Sequence, residues 1–349
     1  MRLQPFRLDI PIIQAPMAGG ITTPELIATV SNTGALGSLG AGYMPPHEIR
    51  SAIKKIKSLT TKPFNVNLFI PEPSHLTYDL SLIKEFLTPL WSEISDAPFE
   101  TTYPQPPAFE DQVEVILKEK VPIFSFTFGI LSPSLMERFK TQGTLICGTA
   151  TTPEEAEQLE NTGVDAIICQ GQEAGGHRGM FSSYDPLYGL FTLLALTREK
   201  VKTPLIAAGG IMNGRSASAA FLAGACAAQL GTAFLTTTES GASPAYKGAL
   251  LKRSHPPTAL TTVFSGKPAR AVINAFMQKL EAHAIPPYPI QHFLTQKLRS
   301  LAAQKNRPDL MSLYAGQGYP LCRPIGAATL IQHIVKELRD CKEINFTVT

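Results

Sequence analysis

Cysteine, tryptophan and charge are all scarce in this chain. Five cysteines stand among 349 residues, an odd number with no C-x-x-C spacing. That argues against a disulfide framework and against the common zinc and dithiol motifs. Cys147 and Cys169 lie in apolar runs and read as reduced packing residues, so a cytoplasmic location is expected. Charged residues make up 17% of the chain and leave a net charge of +3. The nearest approach to a basic run, Lys54-Lys55-Ile56-Lys57, reads as the wet face of a helix, so no nucleic-acid partner is expected. Met1 to Asp9 lacks the apolar stretch of a secretory leader. Ser216 to Thr238 is uncharged and long enough to span a bilayer, but it is rich in Ala, Gly and Thr. It reads as a helix followed by a buried strand, and no membrane association is expected. Nucleophile elbow, P-loop and dinucleotide fingerprint are all absent. His47, His75, His255, His283, His292 and His333 have no ligand-type partner at helical spacing, so they read as bystanders and no metal site is expected.

What is present is an alternation of short apolar runs with amphipathic stretches. The runs are Pro11–Met17, Ala35–Gly40, Phe64–Ile70, Pro122–Thr127, Thr144–Thr149, Val164–Cys169, Pro204–Ala208 and Ala227–Phe234. Continuous apolar runs separated by helices predict parallel strands buried on both faces. Thr23-Pro24-Glu25 and Thr152-Pro153-Glu154-Glu155 are helix starts, with a capping Thr before an early Pro. An open doubly wound sheet would share this alternation. Eight runs, with glycine and polar residues gathered after their C-terminal ends, favour an α/β fold of the (β/α)8 TIM barrel type. Two segments exceed ordinary connections: the Pro-rich excursion Pro71–Pro107, with a partial helix near Leu80–Leu87, and Thr236–Pro324. The expected division is a barrel over 1–235 and 325–349, with an α-rich substrate-side lobe over 236–324 inserted before a last helix near Ile325–Arg339.

Four constellations carry chemistry. Ala208-Gly209-Gly210-Ile211 and Gln229-Leu230-Gly231-Thr232 end adjacent strands. Glycines there let backbone amides approach a phosphate at helix N-termini, although tight βα turns need the same glycines. Gln170 to Gly179, QGQEAGGHRG, holds four glycines in ten residues. It forms a loop that brings His177 and Arg178 to the barrel mouth. His177 is the candidate acid or base, set against a histidine that merely bonds backbone. Asn65 and Asn67 are poor strand formers that imply a buried polar network or a ligand. Gln14 to Gly20, QAPMAGG, ends the first strand in a form suited to backing a flat ring, with Met17 and Gly19 in place.

These strings, PIIQAPMAGG, GAGYMPP, FNVNLF, QGQEAGGHRGMF and AAGGI, stand in an order that resembles the nitronate monooxygenase family, formerly 2-nitropropane dioxygenases. The resemblance runs from Pro11 to about Thr232 and continues in Tyr314-Ala315-Gly316-Gln317-Gly318. It implies FMN held between barrel and lobe, with Met17 and Gly19 along the flavin ring. It implies further cofactor contacts from Asn67, Gln170, Gly175, Gly210, Gln229, Leu230, Gly231 and Thr232. His177 matches the family's catalytic histidine; Arg178, Tyr314 and Gln317 are placed on the substrate side. The implied reaction is oxidation of alkyl nitronates, propionate 3-nitronate being a candidate, by dioxygen to a carbonyl compound and nitrite, in a monomer or homodimer. A flavin reductase using NAD(P)H, of the enoyl-acyl-carrier-protein or quinone type, shares much of this pattern, and so would a flavin-binding protein without turnover.

Overall fold

The chain forms a closed (β/α)8 barrel, seen in a computed structural model that describes residues 8–72, 79–252 and 254–342. The first seven residues, His75 and the last seven residues, all touched by the sequence reading, lie outside that range. Eight parallel strands make the wall: β1 (Ile12–Gln14), β2 (Gly37–Gly40), β3 (Phe64–Phe69), β4 (Ile123–Thr127), β5 (Leu145–Ala150), β6 (Ala166–Gln170), β8 (Leu205–Ala208) and β9 (Ala227–Leu230). Between β6 and β8 comes the two-residue strand β7 (Gly176–His177), which belongs to a separate sheet. The wall runs in order β1-β9-β8-β6-β5-β4-β3-β2, and a parallel bridge from Ile13 to Leu36 joins its two edges. The buried Gln14 amide locks that seam, donating to Ala15 O and Ser38 O and accepting from Ser38 N at 3.0 Å.

Each wall strand leads to a helix, and the starts are written locally. Thr23 caps Pro24–Asn32, Thr152 caps Pro153–Thr162, and Asn213 forms a capping box on Gly214–Leu222. The last helix, Ala327–Lys342, packs against Gly214–Leu222 and Pro24–Asn32 and completes the outer ring. The uncharged stretch divides into Gly214–Leu222 and β9 as expected, and no helix among the described residues is long and apolar enough to cross a membrane. The expected run Ala227–Phe234 stops at Leu230. Gly231 turns the chain out of the strand, and Thr232–Leu235 is one turn of helix.

Strand alternation divides the barrel interior into two zones. Ile13, Leu36, Ile123, Cys147, Ile168 and Ile206 point inward near the strand starts and form a dry plug. Two to four residues further along, the inward positions turn polar: Asn67, Thr127, Thr149, Gln170 and Gln229. The plug supports a floor of side-chain amides and hydroxyls at the C-terminal mouth, where barrels place their sites.

Residues 236–324 carry the helices Pro244–Leu250, Ala275–Leu280 and Ile290–Gln304, together with β10 (Thr258–Thr261) and β11 (Ala269–Val272). These two strands pair antiparallel, and β11 also pairs with β7. The Pro-rich excursion contributes the helix Ser81–Ser92, whose Ile83, Leu87 and Trp91 share a hydrophobic cluster with Leu280, Leu294 and Leu298. Two separate stretches thus build one apolar body over the mouth.

Candidate active site

Between the polar floor and that body lies a cavity of about 460 Å³, within the range of small-molecule sites. Met17, Gly19, Asn67, Gln170, Gly175, Gly210, Gln229, Gly231, Thr232, His177 and Tyr314 all line it, drawn together from positions nearly 300 residues apart. Asn67 is held by Nδ2 donating to Ser125 Oγ at 2.9 Å, and Asn65 bonds the same hydroxyl. The two asparagines therefore do form a buried network, and it aims Asn67 at the cavity.

Three expected residues are not brought to the cavity. Leu230 follows Gln229 in β9, so its side chain points outward into the core beneath the helices. Gln317 is exposed, and only its backbone N–H is engaged, donating to Glu173 O at 3.0 Å. Arg178 is 1% exposed and does not line the cavity. Its Nε donates to Asp185 Oδ2 at 2.7 Å, and Nη1 donates to Gln170 O at 3.0 Å and Gly171 O at 2.9 Å. It is the internal brace of the segment after β6.

That segment is hydrogen-bonded along its length. Gln170 Nε2 donates to His177 O at 3.0 Å, and Gly179 N donates to Gln170 Oε1 at 2.8 Å. The buried Glu155 carboxylate accepts from Phe181 N, Ser182 N and Ser182 Oγ at 2.7–2.9 Å, and from Thr151 N at 2.6 Å. Gly175 sits so close to Ala315 and Gly316 that a β-carbon there would land on their backbone. The glycine-rich stretch is thus a strand and turn clamped from three sides, and His177 enters the cavity on a fixed mount.

His177 Nε2 lies 2.8 Å from Ser265 Oγ. That hydroxyl has one proton and two acceptors in reach, His177 Nε2 and Lys267 O at 3.2 Å, so it ties the imidazole to the turn before Lys267 in either tautomer. Burial first, then the charges of Lys267 and Arg299, lower the imidazole pKa to about 3. The ring is therefore neutral at physiological pH. Phe128, Tyr288 and Tyr314 surround it, with ring centres at 5.3–6.1 Å.

Sequence reasoning missed Ser265, Tyr43, His292 and Arg299. Tyr43 lies in the GAGYMPP string, and His292, Gln296, Arg299 and Ser300 share one face of Ile290–Gln304, where a polar stripe was legible. His292 was read as a bystander, yet it lines the cavity and stacks on Tyr43 at 3.9 Å between ring centres.

Fold and site define an α/β-barrel enzyme whose cavity opens at the C-terminal ends of the strands, under a lid-like body of its own chain. The nitronate monooxygenase family profile matches residues 3–337, and the chain belongs to that family of oxidoreductases. A probable nitronate monooxygenase of Staphylococcus saprophyticus is 40% identical over 96% of both chains. One from Bacillus subtilis is 40% identical over 96% of this chain and 98% of its own. Among solved structures, a nitroalkane oxidase from Streptomyces ansochromogenes superposes with a TM-score of 0.91 at 40% identity, covering 96% of this chain and 97% of that one. FabK from Thermotoga maritima superposes at 0.74 with 29% identity, covering 97% and 95%.

Proposed function

We propose that the protein is an FMN-dependent nitronate monooxygenase, converting alkyl nitronates and dioxygen to a carbonyl compound and nitrite. The observation that carries this reading is the cavity lining: two neutral imidazoles and one arginine, with no carboxylate among the described residues. The residues present fit FMN. Among the described residues, the amides of Gly210, Ile211, Gly231 and Thr232 donate to no protein acceptor. They gather at the ends of β8 and β9, where a phosphate finds N–H donors and a helix start. Asn67, Gln170 and Gln229 offer amides along the floor, and Met17 and Gly19 a smooth side for a flat ring. When bound there, FMN supplies the electron-accepting chemistry that no side chain in the cavity possesses.

The chain's own groups then bind and orient the substrate. A nitronate is already an anion, so no proton need leave carbon. A neutral nitroalkane needs a base, and His177 is poorly matched to that task, because protonating it would place an imidazolium beside Lys267 and Arg299. Residues 236–324, taken as a substrate-side lobe, close over the floor and keep water from it. The buried, unpaired thiols of Cys147 and Cys169 suit a reducing cytoplasm.

Anaerobic mixing tests the reading. Ethyl nitronate should bleach the yellow FMN-loaded protein and, in air, release nitrite, whereas NADH and NADPH should leave the colour unchanged. Rapid bleaching by a pyridine nucleotide without nitrite release would favour a reductase of the kind that the fold also accommodates.

A further inference from the structure

Arg299 is the only charged side chain among the described residues that line the cavity. Its partners are all neutral: Thr295 Oγ1 at 3.0 Å from Nε, Ser312 Oγ at 3.0 Å from Nη1, and His292 O at 2.9 Å from Nη2. None of the ion pairs among the described residues includes it. Arg178, by contrast, has Asp185. Burial lowers the pKa of Arg299 below its usual value, a sign of how weakly water compensates the charge. A guanidinium remains a cation regardless. The three neutral acceptors fix its plane and leave an Nη1 N–H unused. The second Nη2 N–H makes only a 3.4 Å contact to His292 Nδ1.

That contact assigns the histidine tautomer. Arginine only donates, so His292 Nδ1 accepts and the proton sits on Nε2, which has no partner. The hydroxyls of Tyr43 and Tyr314 make no hydrogen bond of ordinary geometry either, although Tyr288 stands near the first and Ser265 near the second. Tyr43 stacks on His292, and the Tyr314 ring lies 5.3 Å from that of His177. One uncompensated cation and three residues that each carry an unbonded O–H or N–H therefore line a cavity that has no carboxylate among the described residues. Buried polar groups left this way call for a ligand of opposite character. The phosphate of FMN has its own donors at the glycine turns, and none of Arg299's partners belongs to those turns.

We propose that Arg299, with His292 Nε2–H and the Tyr43 and Tyr314 hydroxyls, receives the negatively charged oxygens of the substrate's planar nitronate group, so that the cavity selects the anion over the neutral nitroalkane. The proposal rests on the nitronate reading above. A planar fork of N–H groups facing a planar pair of oxygens is the geometry in which arginine outperforms lysine.

Nitrate is the probe, a planar oxyanion of the same charge that the enzyme cannot oxidise. FMN-loaded protein is titrated with sodium nitrate, with sodium chloride at matched ionic strength as control, following the flavin absorbance and the melting temperature. Wild type should bind nitrate saturably. Arg299→Met should weaken it about 10- to 100-fold, as expected for loss of a charge-assisted hydrogen bond. The KM for ethyl nitronate should rise by a similar factor, with kcat changed far less. Should Arg299→Met fail to fold or to retain FMN, Arg299→Gln carries the same expectation. Unchanged nitrate affinity in either variant overturns the proposal, even if nitronate is oxidised normally. Nitrate binding that depends on Arg299, in a protein that oxidises no nitronate, would keep the anion receptor and sink the functional reading instead.

Discussion

Asp185→Ala separates the bracing role of Arg178 from the substrate-side role first expected of it. Asp185 is 8% exposed on its side chain and Arg178 1%, and their two contacts at 2.7 and 3.2 Å form a bidentate pair. Removing the carboxylate strands a buried guanidinium beside the carbonyls of Gln170 and Gly171. Breaking a buried pair in this way costs about 3–5 kcal/mol. With an unfolding entropy of about 2.1 cal/mol/K per residue, a chain of this length has about 0.7 kcal/mol/K in total, so the loss corresponds to a fall in melting temperature of about 4–7 °C. Urea titration of Asp185→Ala against wild type measures the energy, and a thermal scan measures the shift. The KM for ethyl nitronate, taken well below the transition, should change by less than about threefold, because no atom of the pair faces the cavity. A variant of unaltered stability whose KM rose tenfold would refute the argument and return Arg178 to the substrate side.

Other consequences are equally direct. His177 and His292, with pKa values lowered to about 3 and about 2, stay neutral in the folded protein while the unfolded chain takes up protons below pH 6.5. Stability should therefore fall as pH drops from about 6.5 towards 3, by up to about 1.4 kcal/mol per pH unit for each ring; His177→Asn/His292→Asn should flatten that slope in urea titrations. Gly175→Ala should cost about 1–3 kcal/mol and release FMN more readily, measured by the fluorescence of freed flavin, because its new methyl meets the backbone of Ala315 and Gly316. Nitroethane offered as the neutral acid at pH 7 should turn over at least about 100-fold more slowly than ethyl nitronate, followed by nitrite release. Comparable rates would mean that His177 acts as an effective base after all.

Much of this protein is written locally. The capping threonines before Pro24 and Pro153, the eight apolar runs and the glycine turns after β8 and β9 follow from backbone preferences and strand burial, which neighbouring residues dictate. The count of those runs, with glycine and polar residues after their ends, favours the barrel over an open sheet, and motif residues such as Asn67, Gln170 and Gln229 reach its mouth because period-two alternation sends them inward. The same alternation shows why Leu230 could not follow Gln229 into the site. Which arginine meets the cavity was decided only by tertiary structure. Arg178 adjoins the histidine in sequence, but Asp185 folds back to neutralise it, whereas Arg299 lies on a distant helix. The helix Ile290–Gln304 reads simply as amphipathic, and its polar face would suit solvent equally well. Packing of residues 236–324 against the excursion helix Ser81–Ser92 turns that face inward and leaves a cation without a counter-charge. Local pattern sets what a segment can become, but charge compensation depends on which segments meet, and that is a property of the assembled fold.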